Sequence, residues 1–223
     1  MPARIVKNFI DVDHRLDHLR TNREWLLEVA EAMAAASNEC TENDPNGARG
    51  WRSWQMGTRR NREIHLGKLG WVRDDSDQIP SILNEEIGVR IVACNTDDGT
   101  CISSREPQNR SRKGPATERF VDRNQADLFE GGHIPHPDSV TRLRTEQVER
   151  NTSGILTYML CVYQESEELR VELSCAVASS GGYFVRFNER IFIFGGDTDP
   201  SVPIGFKGTD DASDFDIPVT RKK

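Results

Sequence analysis

Three strand-prone runs crowd the last third of this chain, at residues 154–163, 169–177 and 183–194. They are separated only by the polar Glu165-Ser166-Glu167-Glu168 and by Ser179-Ser180-Gly181-Gly182. Connections this short join neighbouring antiparallel strands, because a parallel return needs a crossover of a dozen residues or more. The spacing therefore predicts an antiparallel meander. A sheet of this kind must cover an apolar face with something.

The first part of the chain supplies the cover. Thr21 and Glu24 have capping-box spacing, and Trp25, Leu26, Val29, Ala30 and Met33 follow as an apolar stripe, which predicts a helix over 22–36. Asp44-Pro45-Asn46-Gly47 is a turn signal within a loop over 40–50. A helix is expected over 54–69, interrupted in composition by Gly57 and Gly67, and a shorter one over 80–86. Residues 88–95 (GVRIVACN) read as a buried strand, with Asp98-Gly99 turning into a second strand over 100–103. A loop over 105–114 precedes a helix over 116–129, with Phe120, Val121, Ala126 and Leu128 facing inward. The expectation is α+β: an N-terminal helical part packed on a C-terminal antiparallel β-meander. It forms a single domain over 1–195, helical over 1–87 and mainly β over 88–195, and residues 196–223 form an acidic, irregular tail.

Composition narrows the class. No apolar run approaches the roughly 20 residues that span a bilayer. Residues 1–20 are broken by charges every few positions, without the apolar stretch of a secretory signal. The five cysteines, Cys40, Cys94, Cys101, Cys161 and Cys175, include no CxxC pair, so neither a disulfide framework nor a zinc site is expected. A reducing, cytoplasmic setting is the expectation.

Net charge is −7, but it is placed unevenly. Between residues 49 and 73, Arg49, Arg52, Arg59, Arg60, Arg62, Lys68 and Arg73 face one acid, Glu63, so seven minus one leaves +6. Trp51, Trp54 and Trp71 are interleaved with them. Cations screen phosphate and flat rings stack on bases. A second basic group, Arg105, Arg110, Arg112, Lys113, Arg119 and Arg123, outweighs Glu106, Glu118 and Asp122 by three. Its Asn109–Gly114 core has phosphate-gripping chemistry but not P-loop spacing. These features lead to a cytoplasmic, non-catalytic protein that binds nucleic acid or another polyanionic partner, such as an anionic protein. Arg52, Arg59, Arg60, Arg62, Lys68, Arg110, Arg112 and Lys113 would touch phosphate, and Trp51 and Trp54 would stack.

Two other classes compete. Asp97, Asp98 and Glu172 are strand-associated acids of the type a metal-dependent nuclease or phosphodiesterase uses, although the acid-x-lysine pair of restriction-type sites is missing. Alternatively Trp51, Trp54 and Trp71 mark a protein–protein module, which leaves a homo-oligomer open. His133, His136 and Asp138 are a weak metal signal, and Ser180 lacks a nucleophile elbow. No cofactor or metal is expected. The acids between residues 197 and 216 could fold back over the basic stretch.

Overall fold

Seven strands and four α-helices follow one another along residues 2–129 and 154–198, the residues that the computed structural model describes. In chain order they are β1 (Arg4–Val6), α1 (Phe9–His18), α2 (Arg23–Asn38), α3 (Ala48–His65), β2 (Trp71–Asp74), β3 (Ser81–Asn84), β4 (Val89–Asn95), α4 (Pro115–Phe129), β5 (Leu156–Glu165), β6 (Glu168–Ser180) and β7 (Tyr183–Phe194). The strands form one sheet in the order β1-β7-β6-β5-β4-β3-β2. The fold is mixed α+β.

The predicted meander is present as β5-β6-β7, antiparallel throughout. It is only part of the sheet. A second antiparallel run, β2-β3-β4, joins it where β4 lies parallel to β5, and β1 lies parallel to β7. The parallel seam places Val89 beside Leu156 and Cys94 beside Cys161. A parallel pair needs a long crossover, and α4 lies on it.

Both faces of the sheet are covered, which is why its strands read as nearly continuous apolar runs rather than alternating ones. On one face Ile91, Ala93, Leu160, Val162, Leu173 and Ile191 pack with Leu16, Leu26, Val29 and Met33 from α1 and α2. On the other, Val92, Cys94, Met159, Cys161 and Phe187 pack with Val121 from α4. Asn124 pins α4 down: its side-chain amide donates to the Thr157 and Ala176 carbonyls, and its oxygen accepts from the Thr157 amide. Gly57 lets α2 and α3 approach, since a Cβ there would lie 2.5 Å from Met33.

Several local expectations are corrected. Residues 81–84 form strand β3, not a helix, because Ile82 and Leu83 are both buried between covering layers. The first part of the chain is not purely helical: it also supplies β1, β2 and β3. Residues 100–103 form turns rather than a strand, with Cys101 at a positive φ of 57°. Helix α2 is capped by Asn22, whose side chain accepts from the Trp25 amide at 2.8 Å, and not by Thr21. The Thr21 hydroxyl instead meets His65 Nε2 at 2.8 Å. Helix α3 begins at Ala48, earlier than the expected 54, behind Gly47 in a left-handed conformation.

Two buried ion clusters tie layers together. Arg15 of α1 reaches Glu189 of β7 at 2.9 Å, and the Tyr158 hydroxyl donates to the same carboxylate at 2.8 Å. Arg190 of β7 pairs with Glu172 of β6 at 2.7 Å. The neighbouring antiparallel run is short: β3 contacts β4 only from Val89 to Ile91, so among the described residues Val92 to Asn95 have no strand on that side.

Candidate polyanion cleft

Helix α3 presents its basic residues in several directions, and carboxylates meet most of them. Arg52 pairs with Glu39 at 2.7 Å, Arg59 with Glu63 at 2.7 Å, and Arg62 with Asp75 at 2.6 Å. Arg60 pairs with Glu63 at 3.0 Å and also with Glu28. Arg62 donates further to the Asp74 and Ser81 carbonyls. Hydrogen bonds from Arg59 and Arg60 hold the Glu63 carboxyl below its ordinary pKa, and those from Arg62 and Arg73 do the same for Asp75. With about 100° between successive residues, these positions point to α2, to the β2–β3 turn and to solvent. They do not form one groove. Exposed pairs of this kind contribute little to stability, because solvent screens them.

The aromatic residues also divide. Trp71 is 1% exposed; its indole N–H donates to the Arg20 carbonyl at 2.7 Å, and its ring meets His65 edge-on. It belongs to the core. Lys68 lies over the Trp25 ring at 4.9 Å. Trp54 is half-buried, whereas Trp51 is 59% exposed on the first turn of α3.

Two guanidinium groups from separate segments do converge. The C-terminal end of α2, the first turns of α3 and the carboxyl ends of β4 and β5 enclose a polar cleft of about 420 Å³, lined by Arg49, Ser53, Asn95, Arg110 and Gln164 among others, and by one acid, Glu165, which accepts from the Tyr163 hydroxyl. Asn95 sets its shape: its oxygen accepts from the Ser53 hydroxyl at 2.8 Å, and its amide donates to the Gly50 carbonyl at 2.7 Å. Gln164 closes the opposite wall through Asn38 at 2.6 Å.

Arg110 is oriented by the Thr96 and Gln164 carbonyls at 3.0 and 3.1 Å and lies over the Tyr163 ring. Arg49 donates to the Cys40 carbonyl at 3.2 Å. Neither pairs with a carboxylate among the described residues. A guanidinium has five N–H donors, so each keeps several for a ligand. The positive end of α3, where Gly47 provides no side-chain cap, adds to the same potential.

Arg112 is exposed nearby, whereas Lys113 lines a different cavity. Arg49, Ser53, Asn95, Ser111 and Gln164 were not among the expected site residues. The signal available for Asn95 and Gln164 was a polar residue ending an apolar run, as expected where strands open onto a ligand.

The acids of the nuclease reading are engaged otherwise. Asp97 accepts from the Gly99 and Gln108 amides, which is turn chemistry. Asp98 makes a two-point pair with Arg105 at 2.7 and 2.8 Å. Glu172 is sealed against Arg190 and the Ser174 hydroxyl. Among the described residues no three His, Cys, Asp or Glu side chains are placed to hold a metal ion. His133, His136 and Asp138 lie outside the described residues, as does the tail beyond residue 198. Asp197 lies inside them and accepts from the Ser103 amide at 2.7 Å.

No helix among the described residues is long and apolar enough to cross a membrane. The fold and site define a class: a mixed α+β domain with a polar cleft at the carboxyl ends of a parallel strand pair. Comparison with protein-family models, with curated proteins and with solved structures finds no match to this chain.

Proposed function

We propose that this protein binds nucleic acid or a similar polyanion through the cleft between α3 and the ends of β4 and β5. The observation that carries the reading is the convergence of Arg49 and Arg110 on one polar hollow, neither held by a carboxylate among the described residues. Ligands of open α/β sheets bind at the carboxyl ends of parallel strands, which is the position of this cleft. Arg112 extends the basic surface, and exposed Trp51 gives a ring for base stacking on the outer side of α3. Arg52, Arg59, Arg60 and Arg62 act as a secondary field that exchanges carboxylate for phosphate when a strand lies across them. An acidic protein repels such a partner at a distance, so the complex depends on short-range contacts.

The test is fluorescence anisotropy with a labelled single-stranded oligonucleotide at several salt concentrations. If two or three phosphates are neutralised, affinity falls by about tenfold between 50 and 200 mM salt. Arg49→Ala combined with Arg110→Ala abolishes binding, whereas Arg59→Ala changes it little. Salt-independent binding, or full affinity in the double variant, overturns the reading.

A protein partner is a second reading, favoured by Leu66, Leu69 and Val72, each exposed within or just before β2, the edge strand of the sheet among the described residues. A complex that survives high salt and is lost in Leu69→Lys supports that reading.

A further inference from the structure

A second cavity, chemically unlike the cleft, lies beyond the end of β3, where β4 has no strand neighbour among the described residues. The loop carrying Ile79 and Pro80 spans this gap, Trp54 of α3 closes one side, and Phe120 of α4 closes the other. The space left is about 180 Å³. An engineered apolar cavity of about 150 Å³ takes up benzene, so one six-membered ring or a short branched chain fits here.

The polarity of the cavity is one-sided. Val92, Met159 and the two aromatic rings form an apolar body, and Lys113, Thr117 and Gln78 supply the polar atoms. Lys113 makes no ion pair with a carboxylate among the described residues. Its positive charge opposes the upward push of burial on the Cys94 thiol, which lines the same cavity. Lys113 also lies two residues before the start of α4, whose N-terminal end favours negative charge. An ammonium beside an apolar hollow lacks a counter-charge of its own.

The mouth carries backbone strain. Asp77 and Gln78 are consecutive non-glycine residues at φ of 55° and 62°. Arg119 of α4 holds Asp77 at 2.8 Å, with Arg123 at 3.9 Å. Conformations of this type cost about 1–3 kcal/mol each and are found at ligand clamps. Here the strained turn and α4 are fastened across the cavity.

We propose that this cavity is a binding site for a small organic carboxylate with an apolar body, its acid group on Lys113 and its ring or branched chain between Trp54 and Phe120. A polyphosphate does not suit apolar walls of this size, and an amine is repelled by Lys113. The site is independent of the polyanion cleft.

The experiment uses the full chain and two-dimensional NMR titration with benzoate, benzene and benzylamine, each to about 10 mM, tenfold above a Kd of 1 mM. Benzoate is expected to shift the Trp54 indole and Met159 methyl signals, benzene to do so more weakly, and benzylamine not at all. Lys113→Met keeps the aliphatic stem and is expected to weaken benzoate by about tenfold while leaving benzene within twofold, which also shows that the cavity is intact. Thr117→Phe places a ring in the cavity and is expected to abolish both. No shift with any probe in the wild-type protein overturns the proposal, as does benzoate binding that is unchanged by Lys113→Met or that persists in Thr117→Phe.

Discussion

Replacing Glu172 with glutamine removes one charge from the most heavily bonded ion pair among the described residues while preserving its shape. The Glu172 carboxylate accepts from Arg190 Nε at 2.9 Å, from Arg190 Nη2 at 2.7 Å, from the Ser174 hydroxyl at 2.7 Å and from the Cys101 amide. Arg190 spends its remaining N–H groups on the carbonyls of Ile102, Arg105 and Gly99, at 3.0, 2.6 and 3.1 Å. One guanidinium therefore fastens β6, β7 and the turns over 99–105. Both side chains are essentially sealed, at 1% and 0% exposure. Glu172→Gln leaves a buried cation without its counter-charge, and breaking a buried pair in this way costs about 3–5 kcal/mol. In a chain of this size each kcal/mol lowers Tm by about 2–4 °C, so the fall is roughly 6–20 °C. Urea unfolding followed by circular dichroism reads the first quantity, and a thermal melt reads the second. Hydrogen exchange should quicken at the amides of 99–105 before it does in α2. Glu172→Leu with Arg190→Met removes both charges and recovers only part of the loss, because the three carbonyls still lack their donors. A loss under about 1 kcal/mol for Glu172→Gln would refute the reasoning, since it would mean that water already reaches the guanidinium.

Two further predictions concern other parts of the fold. Burial pulls the pKa of His65 down from 6.5 to about 4; the unfolded chain takes up this proton first, so stability present above pH 6.5 is lost as pH falls toward 4, by roughly 3 kcal/mol. Urea midpoints measured across that window should show the slope in the wild type and lose it in His65→Gln; equal slopes would remove His65 as the cause. Gly88→Ala brings a methyl group to 2.5 Å from the Gly154 carbonyl oxygen at a φ of +62°, whereas Gly47→Ala at φ +86° meets nothing within 4 Å. Chemical denaturation should show a loss of about 2 kcal/mol or more at Gly88 and about 1 kcal/mol at Gly47, and equal losses would show that the carbonyl yields freely.

The long elements were legible because apolar patterning is a local property. Strand β7 runs over the expected 183–194, and β5, β6, α2 and α4 lie within a few residues of their expected places. The shorter or tertiary features were not legible. Pro80 and the Glu85-Glu86 pair give 81–84 the look of a helix start, and only burial on both faces makes it a strand. The Asp44–Gly47 turn signal conceals the start of α3, so Arg49 and Gly50 read as loop. The parallel pairing of β4 with β5 joins distant segments, and nothing local specifies it. The same limit applies to the site. Counting charges located the basic stretches, but Glu28, Glu39 and Asp75 reach Arg60, Arg52 and Arg62 from elsewhere in the fold. Arg49 and Arg110 share a cleft only because Asn95 clamps α3 to the end of β4.

The seam between β4 and β5 has a bearing on how this chain reaches its native state. Hairpins on either side can zip up within their own neighbourhoods, but matching Asn95 with Val162 requires the polypeptide to close an excursion of 66 residues, an entropic toll of roughly 4 kcal/mol. Until that match is made, each group of strands exposes an apolar edge, and the α4 side of the sheet cannot be sealed. Commitment to the fold thus depends on distant encounters, this one in the middle of the sheet and that of β1 with β7 at its edge, which places this protein among the slower folders for its helix content.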